Sequence, residues 1–438
     1  MKRTEEKQGT LRWDKLDNTA HVFPVIAGNE MTNVYRISVV LKEEVQQDLL
    51  QQALDIVLPK FEIFHVRLRQ GIFWYYFEEN VKRAPRVHEE ETYPCRYIVQ
   101  NKNRSYLFRV TYYKKRINLE VFHVLTDGMG GINFLRELTY QYLRLAHPKL
   151  REQVGGDALC SETSLNTEEN SETGNTAPAF IQGRKSSQKI YKTQKAYLLK
   201  GEKFKEPEFG VIHGYLNIPQ LKSVCKKMGA SINEYLVSVF IWSIYTEYMH
   251  GMPEKRPVRV AVPVNLRPFF NSVTTKNFFA MVSAEFEAKK ETYTFEEVLK
   301  IVCESLRSQI NKEHLEDIFS YNVSNEKILI ARAVPLVLKK LAIRSVYTSA
   351  ALANTSTITN IGNISVREEY EPYIEGFHAY LAMSKGQNLK GTICSYKDTL
   401  VFTFSFILKD TSVQKAFFRK LASDGLDVSI ESNGVCYE

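Results

Sequence analysis

Residues 151–190 offer almost nothing to bury, and that stretch organises the rest of the sequence. Ser, Thr, Glu, Asn and Gly dominate it, a composition too poor in apolar surface to offset the entropy of ordering. Apolar-rich sequence flanks it on both sides. A single core stops growing at about 250 to 300 residues, and this chain has 438. We therefore expect an N-terminal lobe over 1–150, a flexible crossover linker over 151–190 and a C-terminal lobe over 191–438. With 44% hydrophobic and 12% aromatic residues the chain can fill two cores.

Periodicity assigns elements to both halves. Val45, Leu49, Ala53, Ile56 and Val57 recur at helical spacing within 41–58, and Pro59 ends that run. Strands are expected over 61–68 and 71–77. A hairpin joins 107–113 to 116–122 around Lys114-Lys115, with Ile117, Leu119 and Val121 on one face. In the second half, Ser231-Ile-Asn-Glu234 and Thr294-Phe-Glu-Glu297 read as capping boxes before helices. Strands are expected at 257–263, 278–286, 391–395 and 400–408, and a last helix over 411–421. Mixed helices and hairpins in both halves indicate an α+β, or mixed α/β, fold of two similar lobes.

Other classes fit poorly. The net charge of +8 is spread along the chain, which gives weak support for an anionic cofactor but no dense basic patch for nucleic acid. The six cysteines show no metal-ligand spacing, so no metal site is expected and they read as reduced thiols. The most apolar stretch, 235–246, is shorter than the roughly 18 to 20 residues of a membrane span. The start Met1-Lys-Arg-Thr-Glu-Glu-Lys has no apolar core behind its charges, so a cytoplasmic location is expected.

The stretch that carries chemistry is Val121-Phe-His123-Val-Leu-Thr-Asp127-Gly128-Met-Gly130-Gly131. It sets a histidine and an aspartate between a strand end and a glycine-rich entry to a helix, where side chains face a cleft while a rigid sheet aims them. Imidazole can accept and return a proton near neutral pH. Gly128 suggests a ligand passing close to the backbone, and Gly130-Gly131 suggest dihedrals closed to other residues. The plain alternative is a core histidine with its hydrogen bonds met.

This segment resembles the chloramphenicol-acetyltransferase-like superfamily with its His-x-x-x-Asp-Gly motif, which includes alcohol acetyltransferases, plant acyl-CoA transferases, wax synthases and condensation domains. The resemblance extends to Val262-Pro-Val-Asn-Leu-Arg-Pro268, Thr274-Thr-Lys-Asn277-Phe-Phe and Thr357-Ile-Thr-Asn360-Ile-Gly362-Asn. It implies two lobes, each a mixed sheet flanked by helices, with the active-site tunnel between them. It implies His123 as general base and Asp127 as a structural residue paired with Arg267. Acyl-CoA would be the co-substrate, with no permanently bound cofactor, and an alcohol or amine the acceptor. A thioester on an acyl-carrier protein is the alternative donor, and a ligand-binding protein without catalysis the alternative class. Ser356 and Thr357 are candidate donors to an oxyanion, whereas Asn360 and Gly362 read equally as substrate contacts or a tight turn. Phe122 stands where condensation domains and wax synthases carry a second histidine, and Thr359-Asn-Ile-Gly362 replaces the plant Asp-Phe-Gly-Trp-Gly. The first departure makes peptide-bond condensation less expected, and the two together point to a bacterial or fungal-type O-acyltransferase relative. Lys339-Lys340 read as a solvated helix face.

Overall fold

A computed structural model describes residues 12–17, 20–154, 156, 194–205, 208–326 and 334–435. The strands are β1 (Trp13–Lys15), β2 (Val34–Leu41), β3 (Val66–Gln70), β4 (Tyr75–Glu79), β5 (His88–Glu89), β6 (Phe108–Tyr113), β7 (Arg116–Phe122), β8 (Gly210–Asn217), β9 (Val258–Asn265), β10 (Phe279–Phe286), β11 (Ser356–Asn363), β12 (Ile374–Leu381), β13 (Leu389–Tyr396), β14 (Thr399–Phe406) and β15 (Val428–Ser432). The helices are α1 (Phe23–Ile26), α2 (Gln47–Val57), α3 (Gly128–Ala146), α4 (Pro148–Gln153), α5 (Ile218–Lys227), α6 (Ile232–Glu247), α7 (Arg267–Phe270), α8 (Phe295–Gln309), α9 (Lys312–Glu326), α10 (Leu336–Leu352) and α11 (Ser412–Ser423).

Two mixed sheets carry the architecture. One has the order β12-β2-β7-β6-β5, the other β10-β9-β11-β13-β14-β8-β15, and β1-β4-β3 forms a small third sheet. The first sheet is antiparallel except for the β5–β6 pair, and the second holds β11 parallel to both β9 and β13. Helices α2 and α3 pack together over the first sheet, and α6, α8 and α11 over the second. Each sheet has its own core. In the first, Phe134 of α3 stacks on Phe64 at 4.0 Å and meets Phe61 and Phe108 edge-on, so emptying position 134 would cost about 3 to 5 kcal/mol.

The mixed α/β, two-lobed fold is as expected, and both capping boxes form. Ser231 accepts from the Glu234 amide while the Glu234 carboxylate accepts from Ser231 N, and Thr294 and Glu297 do the same. The sheets do not respect the chain boundary, however. The segment 191–438 sends β12 to the edge of the first sheet, where it pairs with β2 in antiparallel register. Most of 151–190 lies outside the described residues, and Arg151–Gln153 belongs to α4.

Local differences have local causes. Residues 41–46 do not open the α2 helix, because Leu41 is the last residue of the buried strand β2 and its amide bonds Lys115 O. The segment 61–65 is a turn that buries Phe61, Ile63 and Phe64 without strand pairing. Residues 71–74 make the tip of the β3–β4 hairpin, with Gly71 N donating to Trp74 O. Lys339 is not on a solvated face. It is buried over the Trp74 ring, 3.4 Å from the centroid, and donates to Phe73 O at 3.1 Å.

Candidate active site

Strand β7 ends at Phe122, and the next residue, His123, is tied to its neighbour strand by donating its amide to Asn33 O at 2.9 Å. Four residues on, Asp127 caps α3: its Oδ1 accepts from Met129 N at 3.1 Å and Gly130 N at 3.4 Å. Both ends of the motif are thus pinned by backbone hydrogen bonds. The expected reason for Gly130-Gly131 does not hold, since neither has a left-handed φ. They are needed for close approach instead. A Cβ at Gly130 would lie 1.9 Å from Thr126 Oγ1 and 2.9 Å from Thr275 O, and one at Gly131 would lie 2.7 Å from the Tyr35 hydroxyl.

Asp127 also reaches across to the second half of the chain. Arg267 Nη1 donates to its Oδ2 at 2.8 Å and Nη2 to its Oδ1 at 3.1 Å, a two-point pair of fixed orientation. Phe278 N adds a second donor to Oδ2 at 3.1 Å. The guanidinium is itself held by Thr274 O at 2.9 Å and Lys276 O at 2.7 Å. The pair is largely buried, so each charge depends on the other.

The His123 ring is held from three directions. Phe23 stacks on it at 4.7 Å, Tyr35 meets it edge-on at 5.1 Å, and Asn277 Oδ1 lies 2.9 Å from Nδ1. The Asn277 amide can point only one way, because its Nδ2 donates to Asp17 Oδ2 at 3.0 Å and to His123 O at 3.2 Å. Its oxygen therefore faces the ring, and Nδ1 must carry the proton. Nε2 is left with a lone pair and no hydrogen-bond partner among the described residues. Burial lowers the pKa of His123 below the usual 6.5, so the neutral ring prevails at pH 7.

This ring borders a cavity of about 460 Å³ between the two sheets. Tyr35, His123 and Gly128 come from the first half of the chain; Ala261, Phe279 and Thr357 come from the second. The structure thus brings His123, Asp127, Gly128, Arg267, Thr357 and Asn360 to one cavity. Ser356 is not among them: it is fully buried and gives its hydroxyl to Leu389 O at 2.6 Å. Gly362 also lies off the cavity wall, in a bulge of β11 with φ 89°, where its amide donates to Asn360 Oδ1 at 2.8 Å. Of the two readings of Asn360 and Gly362, the turn describes Gly362, and Asn360 combines turn and cavity wall. Asp17, Tyr35, Asn277 and Lys390 take part in the site without having been singled out as site residues. Two of them left a sequence signal: Asn277 lies in the resembling segment 274–279, and Lys390 is a lysine within the otherwise uncharged run 389–396.

Among the described residues no group of three His, Cys, Asp or Glu could hold a metal ion, and no helix is long and apolar enough to cross a membrane.

Two mixed sheets enclosing a cavity bordered by a tautomer-locked histidine, with a carboxylate–guanidinium clasp joining the halves, define a two-lobed α/β protein of the chloramphenicol-acetyltransferase-like fold. That fold is shared with solved structures over nearly the whole chain. The TRI101 protein of Fusarium sporotrichioides, solved with coenzyme A and T-2, is 10% identical, with a TM-score of 0.62 over 95% of this chain and 99% of that one. The TRI3 trichothecene 15-O-acetyltransferase of the same organism is 10% identical, with a TM-score of 0.60 over 96% and 97%. The condensation domain of the Monacolin K polyketide synthase MokA is 10% identical, with a TM-score of 0.55 over 95% and 97%. No family model matches the chain, and no curated protein matches it in sequence.

Proposed function

We propose that this protein transfers an acyl group from acyl-CoA to an alcohol or amine, with His123 as the general base. The observation that carries the reading is the lock on the ring: Asn277 fixes the proton on Nδ1 and leaves Nε2 unprotonated at the cavity. In the reaction Nε2 takes the proton from the acceptor as its oxygen or nitrogen attacks the thioester carbonyl. The tetrahedral intermediate then collapses, and the same Nε2–H protonates the leaving sulfur. The base and the acid are one atom, so no acyl-enzyme is required.

Thr357 Oγ1 already gives its hydrogen to Gln387 Oε1 at 2.8 Å, so the Asn360 side-chain NH2 is the candidate donor to the oxyanion. Asp127 and Arg267 act on geometry, by clasping the α3 entry to the β9–β10 connection. The coenzyme A of the similar TRI101 structure supports a CoA thioester as donor. A carrier-protein thioester is the second reading, supported by the likeness to a condensation domain. A cytoplasmic location accords with the buried free thiols of Cys95, Cys225, Cys303 and Cys394.

The test is thiol release from acetyl-, butyryl- and decanoyl-CoA with a panel of alcohols and amines. Acceptor-dependent release that falls roughly a thousandfold in His123→Ala is expected, a general-base contribution of ordinary size. Release at the parental rate in that variant would refute the mechanism. Activity with acyl-carrier protein alone would favour the second reading.

A further inference from the structure

Two of the residues bordering the cavity are permanent or potential cations besides His123. Arg267 is matched by Asp127, whereas Lys390 has no carboxylate partner among the described residues. Lys390 is 6% exposed, and its Nζ donates to Ser384 Oγ at 2.6 Å. Tyr347, on α10, borders the same wall. Phe23, Phe279, Met281 and Leu381 make the surrounding wall largely apolar.

A buried ammonium with one neutral partner is unfavourable on its own, and a methionine would fill the space without that cost. Burial pushes the Lys390 pKa down to about 7, so the free site already holds the charge only in part. We propose that Lys390 and Ser384 form a subsite for a carboxylate borne by the acyl donor or by the acceptor, and that this protein therefore selects substrates with a free carboxylate. The inference rests on the acyl-transfer reading above and deepens it. A bound carboxylate supplies the missing counter-charge and draws a proton onto Nζ, so binding weakens as pH rises above neutral. The Ser384 hydroxyl is placed to share the second carboxylate oxygen.

Two pairs of probes separate donor from acceptor. Succinyl-CoA is compared with butyryl-CoA, and 10-hydroxydecanoate with its methyl ester, by kcat/KM in the parent, Lys390→Met and Ser384→Ala. The parent should favour the carboxylate member of one pair by about tenfold or more, the size of a charged hydrogen bond, and Lys390→Met should bring that ratio close to one. The pair whose ratio collapses names the substrate that carries the carboxylate. Unchanged ratios in both pairs, or an equal loss on both members, would overturn the subsite. Should no transfer occur with any probe, the acyl-transfer reading fails by itself. The thermal stabilisation given by 10-hydroxydecanoate over its ester then decides the subsite: lost in Lys390→Met it supports it, retained it overturns it. If Lys390→Met does not fold, Ser384→Ala carries the same comparisons.

Discussion

The side-chain oxygen of Asn277 faces Nδ1 of His123 at 2.9 Å because the amide nitrogen is already given to Asp17 and to the His123 carbonyl. A residue 154 positions away in sequence thereby decides which imidazole nitrogen is basic. Replacing it should leave substrate binding nearly intact while the wrong tautomer becomes populated. Asn277→Ala is expected to lower kcat about a hundredfold with little change in KM, a loss in the range of single general-base and tautomer defects. Parental kcat in that variant would remove the tautomer role.

The same ring sets the pH dependence. Burial lowers the His123 pKa below 6.5, and in the proposed reaction the neutral form is the base. Protonation at low pH therefore abolishes activity. The profile of kcat/KM for a neutral substrate pair should be flat around pH 7 and fall on the acid side with a midpoint below 6.5. A midpoint above that value would mean that the ring is not buried as described.

Asp17 gives a stability signature distinct from catalysis. Burial raises its carboxyl from 3.8 to about 6, against the hydrogen bonds from Asn277 and Ala20 that favour the ionised form. Between those values the folded chain holds a proton that the unfolded chain has released. Its stabilising contribution is present at low pH and is lost as pH rises through about 6. Asp17→Asn should therefore compare more favourably with the parent at neutral than at acid pH, by on the order of 2 to 3 kcal/mol for a shift of about two units. Denaturant unfolding at the two pH values measures it, and a pH-independent difference would contradict the raised carboxyl.

Much of this was readable beforehand, for identifiable reasons. The capping boxes, the β6–β7 hairpin and the β13–β14 alternation are short-range patterns, and each formed where the residues placed it. His123, Asp127 and Arg267 were legible through a motif and its companion segment. What failed is non-local. The membership of β12 in the first sheet depends on pairing with β2, 333 residues earlier at Ile374↔Leu41, in register set by both strands. Asp17 looks like an ordinary polar residue, and Asn277 is marked only by lying in a resembling segment, until the fold brings them to one ring. Ser356 was a candidate because hydroxyls suit oxyanions, but its place on a central strand buried it against Leu389 O.

The clasp between Asp127 and Arg267 should behave as a unit. Arg267→Met leaves a buried carboxylate facing only neutral donors and is expected to cost about 3 to 5 kcal/mol. Asp127→Asn can keep the cap on α3 through its side-chain oxygen but strands the guanidinium. The double variant removes both charges, so its cost should be well below the sum of the single ones, a coupling of about 1 to 3 kcal/mol. Additive losses in urea unfolding would show that the two charges do not depend on each other.

The glycines of the motif separate folding from substrate space. At Gly130 an added methyl meets Thr126 Oγ1 at 1.9 Å and the backbone oxygen of Thr275 at 2.9 Å. The hydroxyl could rotate away, but the carbonyl cannot, and it already accepts from Thr126 at 2.5 Å. Gly130→Ala must therefore push α3 away from the 274–277 segment that holds Arg267, at about 1 to 3 kcal/mol and with loss of activity. At Gly128 the nearest atom to an added methyl is Ile361 Cγ1 at 3.8 Å, ordinary contact distance, and the residue borders the cavity. Alanine there gains helix propensity, about 0.4 to 1 kcal/mol, while its methyl takes up space beside His123. Gly128→Ala should thus unfold no earlier than the parent yet show a raised KM, most clearly for bulky acceptors. If instead Gly128→Ala is the unstable variant and Gly130→Ala the well-folded one, the packing of α3 against 274–277 is not as described, and with it the placement of the ring that the clasp supports.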